Sequence, residues 1–156
     1  MFLDLLSIDE KGWQDQYDET SQEMQGAFAD LIGDRPFSVK VEIQPLGNGY
    51  QVLGQVRSHY PEVCSRCGQE IEVSLVSPIN EILMVEKPRP RNTQVSQSRQ
   101  NFDPMGPSVT YLQEPQLNLK EFLHEMFASG FQAYPQCGDQ KNCDQKVHQS
   151  LKHQDT

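Results

Sequence analysis

Residues 37–57 have a pattern that fits only one regular structure. Phe37, Val39, Val41 and Ile43 alternate with Ser38, Lys40, Glu42 and Gln44, and a period of two puts every apolar side chain on one face of a strand. Tyr50, Val52, Gly54 and Val56 then alternate with Gln51, Leu53, Gln55 and Arg57. Between the two runs, Leu46-Gly47-Asn48-Gly49 supplies residues that tolerate positive φ in a tight turn. The segment predicts a hairpin with one buried face.

The same period returns after a Cys64-Ser65-Arg66-Cys67-Gly68 turn. Ile71, Val73 and Leu75 alternate with Glu70, Glu72 and Ser74, and Pro78 is expected to bend or interrupt this strand. Residues 79–85 then read as a fourth strand or a bulged extension. Residues 86–108, opened by Lys87-Pro88-Arg89-Pro90-Arg91, are nearly free of apolar residues and read as a flexible insert. Residues 109–112 predict a short edge strand.

Two segments carry the helical period. Thr20 and Glu23 have capping-box spacing, and Met24, Phe28, Leu31 and Ile32 follow at helical intervals until Gly33. Asn118 and Glu121 open a second helix whose Leu119, Phe122, Leu123, Met126 and Phe127 share one face, with Gly130 as its stop. The apolar start, Met1-Phe2-Leu3-Asp4-Leu5-Leu6, predicts an early strand or a staple on the core, while residues 7–19 read as loop. The polar tail after Tyr134-Pro135 is expected to fray, most of all over residues 144–156. The expected fold is α+β: an antiparallel sheet of four or five strands with two packing helices and a zinc-ribbon-like Cys-x-x-Cys knuckle. All 156 residues fit one domain.

Charge narrows the function. The net charge is -9, and residues 1–36 hold nine acidic against two basic side chains. Such a chain does not look like a free-standing nucleic-acid binder. It suits a basic partner, or contact with RNA through a local patch. No run approaches the roughly 20 apolar residues that span a bilayer, and the apolar start lacks the basic lead of a signal peptide. A cytoplasmic location is therefore expected, with reduced thiols.

Cys64 and Cys67 at a hairpin turn form the half-site of a zinc ribbon. Cys137 and Cys143 are the candidates for the other half, with His148 and His153 as nearby substitutes. Three readings stay open: zinc held by Cys64, Cys67 and two tail ligands; free thiols without metal; or a redox role. The last conflicts with the strand that follows the pair, since a redox-active pair sits at a helix N-terminus that lowers the thiol pKa.

In order and spacing, these features resemble the YceD-like family, also called the large ribosomal RNA subunit accumulation protein. The resemblance runs from about residue 36 to 143. It comprises the strand ending in Val52-Leu53-Gly54-Gln55-Val56, the Cys64-x-Arg66-Cys67 turn, the acidic alternating strand, the low-complexity insert, Leu117-x-Leu119 before a helix containing Glu125, and Pro135-x-Cys137. The resemblance implies a role in ribosome biogenesis: accumulation of 23S-type ribosomal RNA through binding of precursor RNA or a ribosomal protein. Cys64, Arg66 and Cys67 match the family's signature turn. Two features depart from the pattern: many members have a richer second cysteine cluster, and Gly68 stands where a bulky residue is common.

Catalysis finds little support. His124 and Glu125 fall on the polar side of a helix, Gly47-x-Gly49 is a hairpin turn rather than a phosphate loop, and no nucleophile elbow appears. No enzyme activity and no small-molecule substrate are expected. For RNA or partner binding the candidates are Arg57, His59 and Arg66, with Tyr60 beside them as a stacking group, and Lys87, Arg89 and Arg91 on the insert. The alternative reading is an acidic protein-binding module that docks a basic partner.

Overall fold

The computed structural model describes residues 1–86 and 106–152. Its strands are β1 (Phe2–Asp4), β2 (Trp13–Asp18), β3 (Ser38–Leu46), β4 (Gly49–Val63), β5 (Glu70–Val85), β6 (Ser108–Leu112) and β7 (Gln116–Asn118). Its α-helices are α1 (Ala29–Ile32), α2 (Leu119–Ser129) and α3 (Gln140–Lys152). The main sheet has the order β2-β3-β4-β5-β6, and β1 pairs with β7 in a separate two-stranded sheet.

The predicted hairpin forms. Val39 faces Val56, Val41 faces Gly54 and Ile43 faces Val52 across β3 and β4. Gly47 takes a φ of 58° in the two-residue turn, and Gly54 lets the strands approach: a Cβ there would overlap the Lys40 carbonyl oxygen. One face of the sheet is buried, with Val39, Ile43, Val52, Val56, Leu75 and Leu83 fully enclosed. α1 and α2 cover that face. α2 buries Leu119, Phe122, Leu123 and Phe127, and Phe127 meets the Phe28 ring at a 4.1 Å centroid separation. The end of α2 lies so close to β5 that a Cβ on Gly130 would come within 2.8 Å of the Ser77 Cβ.

Five expectations need correction. Residues 13–18 are a strand rather than loop, with Tyr17 buried and its hydroxyl donating to Asp15 at 2.8 Å. Trp13 and Tyr17 are the only large apolar side chains in this polar edge strand, so its period was faint. The helix expected from Thr20 is instead a 3₁₀ turn (Gln22–Met24) and the single turn α1, separated by Gly26 at a φ of 70°. The Thr20 hydroxyl donates to Asp18 rather than capping a helix. Met24, Phe28 and Ile32 are nevertheless buried.

The third correction concerns Pro78. β5 runs straight through it in one phase, burying Val73, Leu75, Ser77, Ile79, Glu81 and Leu83. Pro78 pairs with Gln55 on one side, and β6 joins β5 only from Glu81 onward. The missing N–H therefore falls where one flank has no strand among the described residues. Fourth, β6 is parallel to β5, not antiparallel, because a long connection rather than a tight turn links them. Its first residues hold the buried Glu81 carboxylate, which accepts from Ser108 Oγ and from Thr110 Oγ1. Fifth, the tail does not fray over residues 144–152, which belong to α3. Asp139 accepts from the N–H groups of Lys141 and Asn142 at the start of that helix, a cap signal present in the sequence. The insert is expected over 86–108, but residues 87–105 lie outside the described residues, as do 153–156.

Candidate metal centre

The knuckle is the far end of the β4–β5 hairpin. Val63 faces Glu70, the Cys64 N–H donates to the Gln69 carbonyl at 2.8 Å, and the Gly68 N–H donates back to the Cys64 carbonyl at 2.9 Å. Gly68 has a φ of 72°, a conformation that disfavours side chains. The turn aims both thiols to one side.

The chain returns there after α2. The Ser65 N–H and Oγ both donate to the Pro135 carbonyl, at 2.8 and 2.9 Å. This anchor places Cys137 and Cys143 against the knuckle. The four Sγ atoms of Cys64, Cys67, Cys137 and Cys143 lie within 4.8 Å of one another. Cys64 Sγ is 3.8 Å from Cys143 Sγ, and Cys67 Sγ is 3.5 Å from Cys137 Sγ. A tetrahedron with metal–sulfur bonds of about 2.3 Å has edges of about 3.8 Å, which matches these separations. Four cysteines so placed could hold a metal ion. His148 is exposed on α3 and is not among them; His153 lies outside the described residues.

The thiols are not equivalent. Backbone N–H groups of Cys67 and Arg66 point at Cys64 and lower its pKa to about 6, and the Cys137 N–H reaches the same sulfur at 3.4 Å. Burial and the neighbouring sulfurs push Cys143 up to about 12. The sulfurs of Cys64 and Cys67 likewise push Cys137 up. A cluster in which one thiolate forms readily and its neighbours resist ionisation is what like charges in a confined space produce. A bound cation removes that repulsion.

The residues expected to contact RNA are dispersed. Arg57 and His59 are exposed on the outward face of β4, and Arg57 Nε donates to Gln55 Oε1 at 2.6 Å. Tyr60 does not belong with them: strand alternation turns it inward, where it is 2% exposed. Its ring packs against Phe131, and its hydroxyl accepts from the Gln132 N–H. Arg66 is occupied by Asp144 of α3, at 2.6 Å, and so helps dock the tail, a role that spacing alone did not reveal. Lys87, Arg89 and Arg91 lie outside the described residues. No helix among the described residues is long and apolar enough to cross a membrane.

Comparison of the chain with protein-family models, with curated proteins and with solved structures finds no match in any of the three.

Proposed function

We propose that the chain is a non-enzymatic accessory factor in ribosome biogenesis that supports accumulation of large-subunit ribosomal RNA, with zinc at its four cysteines as a structural staple. One observation carries the reading: Cys64 and Cys67 meet Cys137 and Cys143 across 70 residues of sequence in a tetrahedral spacing. The two ends of the YceD-like pattern thus converge on one site, and the site accounts for both. Bound there, zinc would supply positive charge and a cross-link; four thiolates fill a tetrahedral shell and leave no open position for chemistry. Cys64, Cys67, Cys137 and Cys143 would hold the ion, and Arg66 would secure α3 beside it.

Mass-spectrometric metal analysis of the untagged protein is expected to find about one zinc per chain, lost in Cys64→Ser. A metal-free wild type with four titratable thiols would end the zinc reading. The biological role is checked separately, by the level of large-subunit ribosomal RNA in cells lacking the protein; an unchanged level would end that part. A second reading, docking of a basic protein, is favoured by one observation: eight of the nine acids in residues 1–36 are exposed. A salt-sensitive complex that survives nuclease treatment would select it.

A further inference from the structure

α1 and α2 cover one face of the main sheet, and among the described residues the other face is open. Side chains on that open face can be placed by the strand register. Gln16, Lys40, Gln55 and Pro78 form one row across β2, β3, β4 and β5. Asp18, Ser38, Arg57 and Val76 form the next row. At the opposite end of β5, Met84 stands beside Tyr111 of β6.

The cations on this face differ from the others in the molecule. Of the three arginines among the described residues, Arg35 pairs with Glu72 and Arg66 with Asp144. Among the described residues Arg57 has no carboxylate partner; the Gln55 amide oxygen accepts from its Nε. Lys40, exposed and diagonal to Arg57, has no hydrogen bond or ion pair among the described residues. Nearby carboxylates are already engaged. Glu42 accepts from Gln44, and Asp18 accepts from Thr20 and its N–H. Gln16, Ser38, Lys40, Gln55 and Arg57 line a depression of about 310 Å³, with no carboxylate in its lining among the described residues. In a chain of net charge -9, this depression gathers two cationic side chains with amide and hydroxyl groups, flanked on the same face by the Asp18 and Glu42 carboxylates.

The face also carries exposed apolar and aromatic side chains among polar ones such as Glu42, Gln51 and Asn80. Val76, Val109 and Tyr111 are 54%, 44% and 53% exposed. Eight residues of β5 separate the Arg57 row from the Tyr111 row, about 26 Å at the rise of a strand. Cations without a carboxylate partner among the described residues, hydrogen-bonding amides beside them and an exposed aromatic ring farther along the face match a single-stranded nucleic acid, which presents phosphates and base faces together. An acidic peptide would match the cations alone.

We propose that the open face of the sheet binds single-stranded RNA, with Lys40 and Arg57 on phosphates, Gln16, Ser38 and Gln55 as hydrogen-bonding neighbours, and Tyr111 as a stacking surface. This rests on the ribosomal-RNA reading above and assigns the contact to the sheet rather than to the knuckle. The test is fluorescence anisotropy of the full, metal-loaded chain with a labelled, mixed-sequence, single-stranded oligoribonucleotide at low salt. The double variant K40A/R57A is expected to bind at least about tenfold more weakly, with a salt dependence shallower by between about 1 and 2. Tyr111→Ala is expected to weaken binding by about fivefold to tenfold or more, with little change in salt dependence. Lys120→Ala, on α2 behind the sheet, changes charge without touching this face and is expected to leave affinity within about twofold.

All four groups are side chains at the surface, so unchanged metal content and thermal midpoint certify folding. Wild-type binding that survives K40A/R57A would overturn the sheet assignment and leave an RNA role intact elsewhere on the chain. If wild type ignores RNA and instead captures a polyglutamate probe through Lys40 and Arg57, the face serves an acidic protein and the proposal is overturned. If wild type binds neither probe, the proposal also fails, while the measured ribosomal RNA level still decides the biological role.

Discussion

The sheet with its helices and the knuckle with its tail are held by different physics. In the first region the interactions are many and redundant: Leu5, Val39, Val52, Val56, Leu75, Leu119, Leu123 and Phe127 are all sealed from water, and each enclosed side chain of this kind contributes about 1.5–3 kcal/mol of transfer free energy. In the second region there is almost nothing apolar to bury. Of the described side chains of α3, only Cys143 is buried, and Leu151 is 56% exposed. The tail is placed by the Ser65–Pro135 hydrogen bonds, the Arg66–Asp144 pair and four sulfurs. The comparison shows what a small domain does where apolar area runs out: it replaces burial with a few directional contacts and, under the zinc proposal, a cross-link.

If zinc occupies the cysteine cluster as proposed, the sharpest break between the two regions is expected from metal removal. Chelation or Cys64→Ser should abolish hydrogen-exchange protection across residues 140–152, while the amides of β3, β4 and β5 keep theirs. Equal loss in both regions would mean that the two are one cooperative unit. The converse break is Phe127→Ala, which empties the site stacked on Phe28. It should cost about 3–5 kcal/mol in denaturant unfolding and lower the thermal midpoint of the sheet, while the Cys-x-x-Cys turn still takes up metal at low temperature. Gly54→Ala is next, at about 1–3 kcal/mol, because its Cβ meets the Lys40 carbonyl, and backbone yields less than a flexible side chain.

The smallest effect concerns pH. Arg35 beside Glu72 holds that carboxyl below its ordinary value of 4.5. A carboxylate depressed in the folded state stabilises it fully above the unfolded pKa and loses that contribution as pH falls through the folded value. Glu72→Gln should therefore slightly flatten the fall in stability below about pH 4.5 and change little at neutral pH. Because the pair is exposed, added salt should mask most of the difference.

Much of the first region could be read without coordinates. Strict alternation over residues 37–57 and 70–76 can bury its apolar side chains only as strands, and the period of Leu119, Phe122, Leu123 and Phe127 can do so only as a helix. Where the period was faint the reading failed. β2 has two large apolar residues among Asp and Gln, and the segment around Met24 kept helical spacing although Gly26 divides it. Spacing is a property of side chains, and two short turns can satisfy it as well as one helix. The site was legible as a list: Cys64, Cys67, Cys137 and Cys143 were named as possible ligands from their positions in the chain.

What the sequence alone determined here is local: which side chains alternate, which turn needs glycine, and which residues can ligate metal. What only the tertiary structure decided is which distant pieces meet. That the two cysteine pairs converge to sulfur contacts of 3.5 and 3.8 Å depends on where α2 ends and on the carbonyl that Ser65 finds at Pro135. That Arg66 is occupied by Asp144 while Arg57 meets only Gln55 among the described residues depends on which strand face and which helix each one meets. Periodicity reports the environment of a side chain relative to its own element; the partner across a gap of 70 residues is set by chain geometry and packing that no local pattern encodes.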